Sequence, residues 1–327
     1  MGNLVHRLAP RFDRGRRGGL SPDLTVKVGS VELPSPVMTA AGTAGHGAEL
    51  GAYFDLASIG AVVVKSLAPF VSEGNPPLRV HATPAGMINS VGLQGPGLEA
   101  WIDDELPELE ATGARIVVSI WGRSVDDYRK AAERLADVGP QVVAVEVNIS
   151  CPNTEAGNEL FAHSPEATRA VISATAGCER PRWAKLSPNI GPGIVDIAGA
   201  AYDAGAEAVT LINTFFGLSI DPVTGQPRLG GVRGGVSGPA IRPMAVRAVA
   251  DVHAAFPDQP IIGVGGIASA EDVVEMMRAG AAAVQIGTAT LADPEICGRI
   301  SRELNNWCAK NRVPRITSLV GSAQLTP

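Results

Sequence analysis

Three observations on the 327-residue sequence predict an α/β chain closed into a (β/α)8 TIM barrel. Short β-branched runs alternate with Ala-rich amphipathic segments eight times along almost the whole length, and right-handed crossovers close such repeats into a ring. With 45% hydrophobic and 18% charged residues, the chain can bury one large core. The two connections too long to be turns both leave C-terminal strand ends, the face where barrels place their chemistry. A doubly wound parallel sheet is the alternative.

Taken in order, residues 1–23 read as a flexible tail, made basic by Arg7, Arg11, Arg14, Arg16 and Arg17, with contact to an anionic surface as the alternative. Residues 24–327 read as a single barrel domain. Residues 25–33 alternate with period two around Gly29-Ser30 and are expected to form an N-terminal β-hairpin plugging the barrel bottom. Strands are expected over 37–42, 61–67, 115–122, 142–151, 182–187, 208–214, 260–266 and 282–288. Helices are expected over 47–57, 97–110, 124–138, 165–177, 193–204, 239–256, 269–279 and 293–310. The long connections, 68–96 after strand two and 215–238 after strand six, are the expected site walls. The second, rich in Gly and polar residues, reads either as a lid or as an ordered excursion without catalytic movement.

The net charge of −6 gives no basic face for nucleic acid. No long apolar stretch follows the tail to make a signal peptide or membrane span, so a cytoplasmic protein is expected. Cys151, Cys178, Cys297 and Cys308 show neither C-x-x-C nor Cys/His ligand spacing, which predicts that this chain holds no metal or iron–sulfur cluster. The last three fall in helical stretches and read as small half-buried hydrophobes.

Asn148-Ile149-Ser150-Cys151-Pro152-Asn153 directly follows the apolar run 142–147. A thiol between carboxamides at a strand end suits a proton-abstracting group beside a polar, planar ligand. Lys65-Ser66, Lys185 and Asn213-Thr214 stand at the ends of strands two, five and six. Two lysines converging with asparagines imply an anionic or carbonyl-rich planar ligand, since Lys supplies charge and carboxamides read paired donors and acceptors. Strands seven and eight end in Gly265-Gly266 and Gly287-Thr288, where free backbone N–H groups and the start of the next helix suit a phosphate. The dinucleotide fingerprint does not fit, because its third glycine is missing and no early βαβ unit carries it. A phosphate at strands seven and eight beside a planar-ligand pocket is the layout of FMN barrels.

On these residues the chain resembles the catalytic subunits of class 1 dihydroorotate dehydrogenases, and most the class 1B branch, over roughly residues 24–312. Lys65 stands where the family's lysine touches both flavin and substrate. Asn89, Val91, Gly92 and Leu93 fall in the N-x-x-G-L substrate loop; Asn148, Cys151 and Asn153 match N-[IL]-S-C-P-N; and Asn213-Thr214 matches the I-N-[ST] element that holds orotate. Lys185 corresponds to the lysine near flavin N1 and O2, and 235–241 resembles the class 1B G-G-x-S-G-P-A-[IL] segment. The resemblance implies FMN bound by Ala41, Gly42, Lys65, Ser66, Ser119, Asn148, Lys185, Ile212, Gly238, Gly265, Gly266, Gly287 and Thr288. It also implies Cys151 as the base, with Lys65 as the second catalytic residue.

The implied activity is oxidation of dihydroorotate to orotate in de novo pyrimidine (UMP) biosynthesis, the Cys taking the C5 proton and a hydride passing from C6 to flavin N5. An FMN-dependent dehydrogenase acting on another dihydropyrimidine or cyclic ureide, in specialised metabolism, is the alternative. A homodimer is implied, as is a separate FAD and [2Fe-2S] electron-transfer subunit delivering electrons to NAD⁺, fumarate being the class 1A acceptor. Four positions depart from the family pattern: Ala41 for the common Ser, Gly95 and Ser119 for the class 1B Asn, and Trp121 for a smaller residue. Two readings from other classes fit less well. A tRNA-dihydrouridine synthase needs a basic RNA-binding domain, and a silent phosphate-binding barrel has no use for Cys151 between asparagines.

Overall fold

Strands of two to seven residues, rich in Val and Ile, alternate with helices throughout the computed structural model, which describes residues 21–150, 152–153, 159–190 and 193–325. The basic tail lies outside them. Two strands, β1 (Val26–Val28) and β2 (Val31–Leu33), form the expected hairpin. Gly29, with φ +63°, supplies the turn. Ser30 then donates through its backbone N and its hydroxyl to Glu207 Oε2, both at 2.7 Å. Glu207 directly precedes a barrel strand, so the hairpin lies across the N-terminal end.

The remaining strands follow in chain order. They are β3 (Val37–Thr39), β4 (Val62–Val63), β5 (Val80–Thr83), β6 (Gly86–Asn89), β7 (Ile116–Ile120), β8 (Val142–Asn148), β9 (Pro152–Asn153) and β10 (Glu159–Leu160). Then come β11 (Arg182–Lys185), β12 (Ala208–Leu211), β13 (Phe215–Leu218), β14 (Arg233–Ser237), β15 (Ile261–Val264) and β16 (Ala283–Ile286). Eight of them make one parallel sheet in the order β3-β16-β15-β12-β11-β8-β7-β4. The ring closes between β3 and β4 through a bridge from Met38 to Ala61. There the Thr39 hydroxyl stands in for a backbone partner, accepting from Val63 N at 2.8 Å and donating to Val63 O at 3.3 Å. Closure excludes the doubly wound sheet.

Helices cover the outside. They are α1 (Leu98–Ala100) and α2 (Leu106–Ala111), joined by a π turn, then α3 (Val125–Arg134), α4 (Pro165–Ala174), α5 (Ile194–Asp203), α6 (Arg242–Ala255), α7 (Ala270–Ala279), α8 (Thr288–Ala292) and α9 (Ile296–Lys310). Both α3 and α7 begin with a capping box, Ser124 with Asp127 and Ser269 with Asp272, which satisfies orphan N–H groups at the start of each.

Two expectations need correction. Residues 47–57 form two 3-10 turns, Ala48–Ala52 and Leu56–Ser58, instead of a helix. Gly47 is left-handed, and the Asp55 side chain accepts from Ala57 N to start a second turn. An extra short helix, α8, starts at Thr288, where the eighth strand was expected to end, and the last expected helix follows from Ile296. The two long connections do wall the site, as expected, and carry strands of their own. They pair with each other into a four-stranded antiparallel sheet, β13-β14-β6-β5, which roofs the C-terminal end of the barrel.

Candidate active site

A cavity of about 370 Å³ opens at the C-terminal ends of the barrel strands under that roof, within the range of small-molecule sites. At one end it is walled by backbone. Gly265 and Gly266 follow β15 with φ +140° and +71°, conformations that side-chain-bearing residues rarely adopt. A Cβ on Gly266 would lie 2.8 Å from Gly238 O, and one on Gly265 would lie 2.7 Å from Ala245 Cβ. The two glycines let the β14–α6 corner close against the end of β15. Gly287 and Thr288 complete this wall, and the Thr288 hydroxyl donates to Ser237 Oγ at 2.7 Å.

The middle of the cavity is lined by side chains. Ala41 and Gly42 come from the end of β3, Lys65 and Ser66 from the β4 end, Asn148 from β8, Lys185 from β11 and Ile212 from β12. Asn148 is held on several sides: its Nδ2 donates to Ser66 Oγ (3.3 Å), and its Oδ1 accepts from Asn213 Nδ2 (3.4 Å) and Ser150 N (3.2 Å). Tyr128, fully buried on α3, donates its hydroxyl to Asn148 O at 2.7 Å. The end of β8 at Asn148 is therefore anchored from several sides.

The opposite end is built on the excursions. Asn89 closes β6 and donates to Gly235 O of β14 at 3.2 Å. Val91, Gly92 and Leu93 follow it along the cavity wall. Gly92 and Leu93 have φ +73° and +56°, and this tight path is clamped by Asn75, whose Nδ2 donates to Ser90 Oγ at 2.8 Å. Leu93 packs on a satellite cluster of Ala68, Phe70 and Trp121, with Phe70 and Trp121 edge to face at 5.4 Å. Asn213 and Thr214 face the same space. Asn189, which the sequence did not single out, accepts from Phe216 N (2.9 Å) and donates to Thr214 O (3.1 Å), tying this segment to β13.

One polar layer lies below the cavity floor. Ser119 does not line the cavity as expected; it is fully buried on β7, with its hydroxyl 2.9 Å from Ser66 Oγ. Its hydroxyl also donates to Glu146 Oε1 at 3.2 Å. Glu146, on β8, has no exposed surface, accepts from Gln285 Nε2 of β16 at 2.6 Å and sits 3.6 Å from Lys185 Nζ. Neither Glu146 nor Gln285 was foreseen. The only signal for Glu146 is its two-residue step to Asn148, which puts both on one face of β8, and Gln285 carries none.

The sequence profile of dihydroorotate dehydrogenase matches residues 23–307. The chain belongs to the dihydroorotate dehydrogenase family. It is 46% identical over 302 residues, 92% of this chain and 97% of the relative, to dihydroorotate dehydrogenase B (NAD(+)), catalytic subunit, from Desulforudis audaxviator. It is 42% identical over 305 residues, 93% of this chain and 99% of the relative, to the protein of that name from Geobacter sp. strain M21. Members of the dihydroorotate dehydrogenase family oxidise dihydroorotate in pyrimidine biosynthesis with a flavin, and the chain is an oxidoreductase of that kind.

The residues present fit a flavin. Gly42 has φ +90° with nothing within 4 Å of an added Cβ, leaving room over the backbone, while the glycine wall suits a phosphate and Asn148 with Lys185 suits a ring rich in carbonyls and N–H groups. Of the four departures from the family pattern, Ala41 alone is among the lining residues of the described chain. Gly95 is tied by backbone bonds to Ser72, Trp121 packs under Leu93, and Ser119 lies in the layer below. Cys151 and the side chain of Asn153 lie outside the described residues. Of the other cysteines, burial pushes Cys297 up to about 12 and raises Cys178 and Cys308, which makes them poor nucleophiles. Among the described residues there is no cluster of His, Cys, Asp and Glu suited to a metal, and no helix long and apolar enough to cross a membrane.

Proposed function

We propose that the chain is the FMN-dependent catalytic subunit of a class 1B dihydroorotate dehydrogenase, with Cys151 as the base. The observation that carries this reading is the convergence of Lys65, Asn89, Asn148, Lys185, Asn213 and the two glycine-rich strand ends, drawn from separate parts of the chain, on one cavity. Gly265, Gly266, Gly287 and Thr288 hold the phosphate, and Ala41, Gly42, Lys65, Ser66, Asn148, Lys185, Ile212 and Gly238 line the ring, with Ser119 acting from beneath through Ser66. Bound FMN supplies the two-electron acceptor for the C6 hydride. Cys151 receives the proton from C5, and the asparagine amides nearby favour its thiolate. Asn89, Asn148, Asn153, Asn213 and Thr214, with Val91, Gly92 and Leu93 closing the wall, read the amide edges and carboxylate of dihydroorotate and fix the C5–H and C6–H bonds for transfer. Lys65 places its charge beside the carboxylate. Lys185 would offset negative charge that develops on the ring when it is reduced.

Residues 24–327 act as one domain, with the basic residues 1–23 as a tail, in a cytoplasmic homodimer. The curated relatives are named as catalytic subunits of an NAD(+) enzyme, which supports a second subunit as the route to NAD⁺; that this subunit carries FAD and [2Fe-2S] rests on the class 1B resemblance alone. The test is purification of the full chain followed by an acceptor comparison. Non-covalent FMN, slow turnover alone and NAD⁺ reduction on adding the electron-transfer subunit are expected. Rapid turnover of the lone chain with fumarate would move it to class 1A, and failure to take up FMN would overturn the reading.

A further inference from the structure

A carboxylate in the interior of a parallel barrel is costly unless other groups meet it, because the layers between strands are normally filled by branched apolar side chains. Glu146 has no exposed surface. Donors from two other strands converge on it, Ser119 on β7 and Gln285 on β16, and the ammonium of Lys185 on β11 lies 3.6 Å from Oε1. Glu146 stands two residues before Asn148 on β8, and side chains at that spacing share one face of a strand. It therefore occupies the layer directly below the cavity floor, where Asn148 and Lys185 are both exposed to a ligand. At 3.6 Å the contact with Lys185 is an ion pair rather than a short hydrogen bond, so the ammonium keeps donor capacity toward the cavity.

We propose that Glu146 is a positioning residue for the reaction: it fixes the Lys185 ammonium at the cavity floor and offsets its charge there. The field felt by the ring is then set by the Lys185–Glu146 pair and not by Lys185 alone. Ser119 and Gln285 hold the carboxylate in place by donating to its two oxygens. In a low-dielectric interior the removal of one charge of such a pair acts strongly on its neighbours. Loss of the Glu146 charge leaves Lys185 uncompensated, which favours the anionic, reduced form of the cofactor.

This inference rests on the FMN reading, and the midpoint potential of bound FMN in the full-length protein separates the two. Glu146→Gln is isosteric and retains a hydrogen bond to Gln285 once that amide turns over. It is expected to raise the two-electron potential by more than about 30 mV, a tenfold change in the equilibrium constant. Lys185→Met, which removes the opposite charge of the pair, is expected to lower the potential instead. A potential that is unchanged or lowered in Glu146→Gln, or raised in Lys185→Met, overturns the proposal. A merely structural glutamate would alter cofactor content or thermal stability and leave the potential of the loaded fraction where it was. If Glu146→Gln does not retain FMN, Glu146→Asp, whose shorter side chain withdraws the charge from Lys185, is expected to give a smaller rise, and no rise overturns the proposal. A wild-type chain that takes up no FMN overturns both readings, whereas normal uptake with an unmoved potential overturns this one alone.

Discussion

The two ends of the cavity are made of different material. At β15 and β16 the wall is backbone, shaped by glycines whose missing side chains allow the β14–α6 corner to approach within contact distance. At β4, β8, β11 and β12 it is side chain, and each polar group there is held by another, Asn148 by Ser66 and Asn213, and Lys185 by Glu146. Backbone donors read a phosphate without regard to sequence elsewhere, but cannot accept an added Cβ. Side-chain donors can be tuned, at the cost of a buried layer that must stay fully paired. Binding and chemistry should therefore separate on substitution.

The sharpest break is Cys151→Ala, which should keep the flavin yet slow its reduction by dihydroorotate by about 10²–10⁴-fold, the contribution of a general base; near-normal stopped-flow reduction would show that another group takes the proton. Next comes Trp121→Ala. Loss of the buried ring under Leu93 should lower stability by about 3 kcal/mol and raise KM for dihydroorotate more than it lowers kcat, with flavin content unchanged. Denaturant titration and steady-state kinetics check the two parts, and an unchanged KM would detach the substrate loop from this cluster.

Gly266→Ala works in the opposite direction. Its φ of +71° and the 2.8 Å approach of Gly238 O should cost more than about 1 kcal/mol and lower flavin affinity at least tenfold, which equilibrium dialysis would read. The substrate KM of the loaded fraction should stay put. Ser237→Ala gives the smallest effect. It removes the hydroxyl that accepts from Thr288, worth about 1 kcal/mol, so flavin affinity should fall severalfold with no change in kcat; a larger loss would mean that Ser237 itself touches the phosphate.

Much of this was legible from local sequence. The barrel strands are continuous β-branched runs because both faces are covered, and the hairpin alternates because only one face of it is. The polar residues at strand ends stood out against those runs, and nearly all of them line the cavity. What stayed hidden depends on partners remote in the chain. The roof sheet pairs Gly235 with Asn89 across the barrel mouth, and no window of sequence carries both. Glu146 reads as part of an apolar run until Gln285 and Lys185 are seen to meet it. Residues 47–57 failed for a different reason: Gly47 and Asp55 are good starters of turns, and composition alone made the stretch look helical.

Anaerobic mixing of the FMN-loaded full-length chain with dihydroorotate, followed by the flavin absorbance, tests the central claim most directly. Rapid bleaching with formation of one orotate per flavin is predicted. An oxidised spectrum that persists with dihydroorotate, while another dihydropyrimidine bleaches it, would contradict the assignment of substrate and leave only the flavin site standing.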